Sequence, residues 1–426
     1  MTAETKTDFT KTGIYLDNNA TTKTGIYLDN NATTKTDPLV YEAMIPFFTE
    51  YYGNPSSMHR FGEPVRKAME HARHQVAEYI GAAYDDEIIF TACATESDNT
   101  ALCSAIEACA PARNEIITTA VEHPAILDTC AALAKKGVKV HYLGVDSCGR
   151  LNLDEYKALL SEKTAIVSIM WANNETGTVF PVEIMAKMAK EVGAQFHTDA
   201  VQAMGKIKVD VKNTDINMLS FSGHKIHAPK GVGVLYVRRG TRFRPFMHGG
   251  HQERGRRAGT ENAPYIVGLG VACELSGLHI PMMNDTVREL RDKLQYGILK
   301  AVPNCFVTGD LENRTDNTLN IAFEYVEGEA ILLKLNEYGI AASSGSACTS
   351  GSLEPSHVMR AMKIPFTSAH GTIRFSLSRY TREAEIDRVI EVVPGIIAEL
   401  RQYSPYWQQN KPKMNEFDPE YKGTLK

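Results

Sequence analysis

The chain has 426 residues, 51 of them acidic and 46 basic, for a formal net charge of −5; this length suits two or three domains with a sizeable core. With 43% hydrophobic and 23% charged residues it has the make-up of an ordinary globular protein, and its mild acidity argues against a generally basic nucleic-acid-binding chain. Eight cysteines are too few for a disulfide scaffold, and none stand in a CxxC pair, which argues against a zinc ribbon and for a reducing compartment.

The opening MTAETKTDFTKT lacks the apolar core of a signal peptide, and no run approaches roughly 18 uninterrupted apolar residues, so a soluble cytoplasmic protein is expected, with no membrane or nucleic-acid partner. Residues 11–22 and 23–34 both read KTGIYLDNNATT. A repeat that occurs only twice is not a solenoid, whose units need several copies to share a core. The second copy runs directly into Thr36, Asp37, Pro38 and an amphipathic segment, so it is read as the native strand element. One slot takes one copy, and the first is expected to be displaced and mobile.

From residue 86 strand and helix signals alternate. EIIFT (87–91) reads as a buried strand. A helix follows, with Leu102, Ile106 and Cys109 or Ala110 on one face. Next come EIITTA (115–120), a helix from Pro124, KVHYL (139–143), a helix near 153–161 and AIVSIMW (165–171). Pro181 opens another helix at the position proline tolerates best. QFHTDA (195–200), INMLSFS (216–222) and GVLYV (233–237) complete the run of strands. This alternation predicts an α/β layer fold with a mostly parallel sheet.

After about residue 280 the texture changes. The pattern predicts a long helix over 283–301, strands near 305–308 and 317–323, a helix at 328–338 and a strand at 371–377. A last helix runs from 382 to about 401, with a kink expected at Pro394. The division expected is a large domain over 35–282, a smaller α+β domain from 1–34 and 283–404, and a loosely ordered polar tail over 405–426.

The chemistry-bearing residues fall at strand ends, where α/β proteins place their ligands. Ser222-Gly-His224-Lys225 follows one strand. A lone loop lysine is usually just exposed, but one near other groups can have a lowered pKa and act as a Schiff-base nucleophile. Asp199 ends another strand, either as a helix cap or as a partner for a protonated pyridine nitrogen. Thr95, in CATES, is either a plain N-cap or a cap that also holds a phosphate. His123 precedes a proline-started helix, and Asn174 lies in WANNE. Each signal is weak alone, but five strand ends carrying Thr, His, Asn, Asp and Lys look like one site at one sheet edge. There is no Walker A sequence and no HExxH.

The motifs YLDNNATT, YGNPSS, CATES, EHPA, ANNETG, HTDAVQ, SGHK, GTEN and SSGSACTSG run in order from about residue 25 to 400. In this the chain resembles the pyridoxal-phosphate-dependent cysteine desulfurases of the class V aminotransferase group. Cys93, the run GHQERGRRAGTEN and the late SPYW bring it nearest the nitrogen-fixation, NifS-type branch. The resemblance implies PLP fold type I, with a seven-stranded sheet flanked by helices, and pyridoxal phosphate as cofactor. Lys225 would then carry the cofactor and move protons at the substrate Cα. Asp199 would pair with the pyridine nitrogen, Gln202 would bond the ring hydroxyl oxygen, and His123 would stack on the ring and relay a proton in catalysis. Thr95, Ser222 and His224 would hold the phosphate. Thr260 of a neighbouring subunit would complete that site, which implies a homodimer. Asn174 and Arg374 would hold the substrate carboxylate, Arg374 by a bidentate fork; the alternative for Arg374 is a surface charge at a strand edge.

Cys348 is the nucleophile this resemblance implies. It lies in Ser343-Ser-Gly-Ser-Ala-Cys-Thr-Ser-Gly-Ser352, a composition that gives a flexible tether. Cys103, Cys109, Cys130 and Cys273 sit in apolar helical patterns and Cys305 on a candidate strand, as structural cysteines do. Cys148, in the turn DSCGR, reads as simply exposed. The expected reaction turns L-cysteine into L-alanine and leaves a persulfide on Cys348. The persulfide would pass to an iron–sulfur scaffold serving nitrogenase. No resident metal site is expected, and Cys348 would touch an iron–sulfur cluster only in passing. Arg254, Arg256, Arg257 and His251 form a basic run that would suit phosphate or nucleic acid, but proximity to Thr260 favours a subunit interface. The alternatives kept open are a selenocysteine lyase or transaminase on the same fold and a non-catalytic binding protein. The mobile thiol argues against a transaminase.

Overall fold

The structure is a computed structural model and describes residues 25–344, 354–405 and 407. The first KTGIYLDNNATT copy, Cys348 and nearly all of the 405–426 tail lie outside the described residues.

Strand β1 (Ile26–Tyr27) belongs to the second copy and pairs in parallel with a short strand near residue 340. Asp37 then caps helix α1 (Pro38–Met44) by accepting from Leu39 N–H, and Pro38 takes the first turn, where its missing N–H costs nothing. Helices α2 (Pro46–Thr49) and α3 (Glu63–Tyr79) lead into β2 (Ile88–Thr91). The alternation read from the sequence follows: α4 (Ala94–Cys109), β3 (Glu115–Thr119), α5 (Pro124–Ala134), β4 (Lys139–Leu143), α6 (Leu153–Leu159), β5 (Thr164–Ser168), α7 (Val182–Glu191), β6 (Gln195–Asp199), β7 (Met218–Ser222) and β8 (Gly233–Val237). β5 closes at Ser168 and not at Trp171, because the Met170 N–H leaves the ladder for the Glu122 carboxylate.

These strands form one seven-stranded sheet in the order β2-β8-β7-β6-β5-β3-β4. β7, β6, β5, β3 and β4 are mutually parallel, and β8 runs antiparallel to both its neighbours. β2 therefore points the same way as β7, and the expectation of a mostly parallel sheet holds. β5, β6, β7 and β8 are buried at every residue, as sheets covered on both faces require.

The sequence pattern starts its long helix at residue 283, but the chain is already helical twenty residues earlier. Helix α8 (Ala263–Met282) passes through a π-helical turn (Met283–Val287) into α9 (Arg288–Ala301). α8 is apolar nearly all round, so it has no polar stripe to set a 3.6-residue period. By length and composition the stretch 263–301 could cross a membrane, yet Ile266, Leu269, Ala272 and Cys273 are buried in the core. Gly270 permits this packing: a Cβ there would lie 2.8 Å from Ala72 Cα on α3.

Beyond α9 come β9 (Cys305–Val307), β10 (Thr318–Phe323), α10 (Gly328–Glu337), β11 (Ile340–Ala341), α11 (His357–Ala361), α12 (Phe366–Ala369), β12 (Thr372–Ser376) and α13 (Glu383–Gln402). β12, β10 and β9 form an antiparallel sheet, and β11 is the partner of β1. α13 remains one helix through Pro394. This part has its own core, with Leu294, Ile298, Phe323, Phe375, Val389 and Ile397, into which the second copy inserts Leu28. Val358, Met359, Met362 and Ala369, on or beside α11 and α12, pack instead into the larger cluster around the seven-stranded sheet.

Candidate functional site

Five chain segments leave the carboxyl edge of the large sheet beside one another: those after β2, β3, β5, β6 and β7. With residues from the second core they line a cavity of about 350 Å³. Thr95, His123, Asn174, Asp199, Gln202, Ser222, His224, Lys225 and Arg374 all line it. Thr260 does not; it is exposed on the loop before α8. Ser344, the last described residue before the Cys348 segment, stands on the cavity wall.

Lys225 ends the single turn that follows β7, and its Nζ donates to the Asn31 carbonyl (2.6 Å) and the Ala32 carbonyl (2.8 Å). Asp199 is buried at the end of β6, and its carboxylate accepts from Val201 N–H at 2.9 Å. Burial raises its pKa, against the positive pull of His123 and Lys225. His123 caps α5: its Nδ1 accepts from Ala125 N–H at 3.1 Å, which leaves the ring proton on Nε2. Burial lowers the pKa of this ring. Burial, with the charges of Lys225 and Lys230, takes His224 down to about 4, so it is neutral at pH 7 and its Nδ1 meets Thr33 Oγ at 3.1 Å.

One end of the cavity is prepared for an anion. The N-cap of α4 is Cys93, in extended conformation and with no side-chain cap, so the first N–H groups of a sixteen-residue helix are left for another acceptor. The sequence reading made Thr95 the cap; it is the second helical residue and exposed. The Ser222 hydroxyl nearby is buried without a protein partner. β8 packs tightly under this loop, since a Cβ on Gly233 would lie 2.6 Å from the Cys93 carbonyl carbon.

At the opposite wall Arg374 comes from β12. It is buried, which overturns the alternative of a surface charge. Its Nη1 donates to the Asn174 carbonyl and its Nη2 to Asp29 Oδ1, both at 2.9 Å, while its Nε is buried without a partner. Asn174 thus meets Arg374 through its backbone.

Four residues without an assigned role in the sequence reading belong to this site. Asp29 is the carboxylate on Arg374. Asn31 joins the two cores: its N–H donates to Ser376 Oγ, and its Nδ2 donates to Thr318 Oγ1 and to the Asn174 carbonyl. Lys206 is buried beside Gln202, and burial together with the charges of Lys225 and Arg374 holds its pKa well below the usual lysine value. Asp98 lines the cavity floor, where burial and the Asp199 charge push its pKa far up. The DNN motif was visible in the sequence, but these contacts join residues up to 345 positions apart.

Among the described cysteines, Cys109, Cys130, Cys273 and Cys305 are buried and Cys103 half-buried. Burial raises the thiol pKa of Cys103, Cys109 and Cys273, and takes Cys130 to about 12, so these are packing residues. Cys148 is half-buried and not simply exposed. In the basic run, Arg257 pairs with Glu96 at 2.8 Å and Arg256 turns to the Asp86 carbonyl, while Arg254 is exposed.

The family model described as aminotransferase class-V matches residues 26–389. A relative named cysteine desulfurase NifS, from Azotobacter vinelandii, is 64% identical over 94% of this chain and 96% of its own length. A cysteine desulfurase from Gluconacetobacter diazotrophicus is 61% identical over 96% and 99%. A solved structure titled NifS-like protein superposes with a TM-score of 0.83 at 40% identity, covering 88% of this chain and all of the other. Another, titled SspA in complex with cysteine, gives 0.75 at 34%, covering 84% of this chain and all of its own.

Proposed function

We propose, because this chain belongs to the class-V aminotransferase family, that it is a cysteine desulfurase, taking sulfur from L-cysteine and releasing L-alanine. The observation that carries the reading is the convergence, in one cavity, of Lys225, buried Asp199, the partnerless Ser222 hydroxyl and the uncapped start of α4. These residues fit pyridoxal phosphate. The α4 N–H groups, Thr95, Ser222 and His224 would take its phosphate, and Asp199 would take the pyridine nitrogen. Gln202 would donate to the ring hydroxyl oxygen, His123 would stack on the ring and Lys225 would hold the aldehyde carbon. Bound there, the cofactor supplies an electron sink for a negative charge at the substrate Cα.

The side chains divide the work. Arg374 takes the substrate carboxylate through its fork, exchanging the Asp29 contact for it, with Asn174 beside it. Lys225 removes the Cα proton and returns a proton later, its Nζ standing in the cavity beside the Asn31 and Ala32 carbonyls. Cys348 thiolate attacks the substrate sulfur. A sulfur–sulfur bond forms as the carbon–sulfur bond breaks, the electron pair leaves with the carbon fragment, and that fragment is protonated to alanine. The persulfide on Cys348 then passes to an acceptor, an iron–sulfur scaffold serving nitrogenase in keeping with the NifS name of the relatives. Ser344 on the cavity wall supports Cys348 as the thiol that reaches in, because only three residues separate the two. The two cores support reading 35–282 as the cofactor-binding unit and Leu28 with most of 283–404 as the smaller one, while Val358, Met359, Met362 and Ala369 side with the larger core.

The test is direct: purified protein incubated with L-cysteine should form one alanine per sulfur delivered to a reductant. Arg374→Lys keeps a cation for Asp29 but loses the fork. It should raise KM for cysteine about ten- to hundredfold, the worth of a charged hydrogen bond, with little change in the visible spectrum; an unchanged KM would remove Arg374 from the substrate site.

We also read the protein as a homodimer. Tyr41, Phe48, Tyr52, Met58 and Phe61 are exposed along one stretch, an apolar surface of the kind that pairs chains. Light scattering should give twice the chain mass. Thr260→Ala should weaken phosphate binding in the partner's cavity, seen as a severalfold rise in the pyridoxal phosphate dissociation constant.

A further inference from the structure

Lys206 is 8% exposed, and its ammonium contacts two neutral amide oxygens, Gln202 Oε1 at a short separation and Asn31 Oδ1 at 3.2 Å. A buried lysine set against amides and not a carboxylate is costly, so its placement calls for a role. The chemistry of the contact supplies one. Charged, lysine offers three N–H donors and no acceptor to these two oxygens; as a neutral amine it keeps two donors, one for each oxygen, beside a lone pair. Donating to both oxygens, it holds both amides in one orientation. With Oε1 turned to Lys206, the Gln202 Nε2 faces the opposite way and donates to the Asn31 carbonyl at 3.0 Å, the same oxygen that Lys225 Nζ reaches at 2.6 Å. With Oδ1 turned to Lys206 and Asn317 Nδ2, Asn31 aims its own Nδ2 at the Asn174 carbonyl and at Thr318.

We infer that Lys206 is a positioning residue: by holding Gln202 Oε1 and Asn31 Oδ1 it fixes the amide of Gln202 so that an N–H, and not a carbonyl, is presented to the ring hydroxyl oxygen of pyridoxal phosphate. An amide turned the other way would set its oxygen against that oxygen and repel it. Gln202 and Lys206 lie four residues apart in one hydrogen-bonded turn, in which Met204 N–H bonds the Ala200 carbonyl and Lys206 N–H the Ala203 carbonyl, and the turn sets their side chains together. The inference rests on the cofactor reading above and adds a residue to it.

The experiment compares purified wild type with Lys206→Met, Gln202→Met and the double variant. Each is stripped of cofactor and titrated with pyridoxal phosphate, with the visible band followed against pH in the reloaded protein. Lys206→Met should weaken cofactor binding about three- to tenfold, the worth of one hydrogen bond, and Gln202→Met by a similar factor. The double variant should be no weaker than about twice the worse single one, because both act through the same bond. Lys206→Met should also move the pH midpoint of the visible band while the melting temperature of the cofactor-free protein changes little. Wild-type affinity and midpoint in Lys206→Met would overturn the inference, as would a double variant showing the product of the two losses. A lowered melting temperature with unchanged affinity would make Lys206 purely structural and overturn it as well. If Lys206→Met does not fold, Lys206→Gln, which keeps two N–H donors, takes its place: affinity within about twofold of wild type supports the inference, and a tenfold loss overturns it. A wild type that takes up no pyridoxal phosphate at all would instead overturn the cofactor reading, and this inference with it.

Discussion

Lys225→Ala is expected to give a folded, colourless protein with cysteine desulfuration reduced at least about a thousandfold, the combined loss of a covalent anchor and a general acid–base. The fold should survive because Lys225 Nζ reaches the Asn31 and Ala32 carbonyl oxygens at the cavity wall and packs into neither core. Water can take those places, and the stability cost should stay near about 1 kcal/mol. The measurement is a visible spectrum after dialysis against excess pyridoxal phosphate, paired with a melting curve. A persistent yellow band that resists dialysis would show that another group holds the cofactor.

Cys348→Ser is expected to keep the yellow band and the affinity for pyridoxal phosphate while losing alanine formation from cysteine by at least about a thousandfold. The ordinary thiol pKa is near about 8.5, so a usable fraction of thiolate exists at neutral pH, whereas a serine hydroxyl provides almost no alkoxide. The substitution leaves Lys225, Asp199 and Arg374 untouched, so any change confined to sulfur transfer isolates the last step. Mass mapping after incubation with cysteine should find one added sulfur on the peptide carrying Cys348 in the wild type and none there in the variant. Full activity in Cys348→Ser, or added sulfur on Cys93 at the cavity edge, would assign the nucleophile elsewhere.

The sequence was most informative where a residue's function depends on its position at a strand end. Thr95, His123, Asn174, Asp199, Gln202, Ser222, His224 and Lys225 follow the strands they were read from, and the parallel order brings those ends together. Alternating buried strands and helices also made the sheet legible. What escaped was set by tertiary contact. Lys206 is an ordinary lysine in the string GKIKVD until its ammonium is seen against Gln202 and Asn31. Asp29 and Asn31 stood in a quoted motif, yet their partners Arg374 and Ser376 lie more than 340 positions away. Helix α8 escaped for a different reason: its residues are apolar nearly all round, so no polar stripe marks the period from which a helix is read.

The unbroken helical stretch 263–301 also bears on how the enzyme moves. At a rise of about 1.5 Å per residue it is a rod of roughly 58 Å. Ile266 and Leu269 root it in one core, Leu294 and Ile298 in the other, and the π-helical turn falls between them. A loose peptide tether would let the two halves tumble independently. A rod makes them flex elastically, with bending concentrated at the turn where the hydrogen-bond ladder is already irregular. Lys225 comes from one half and Arg374 from the other. A spring-like rod would therefore hold Lys225 and Arg374, one from each half, facing the same cavity around one resting geometry.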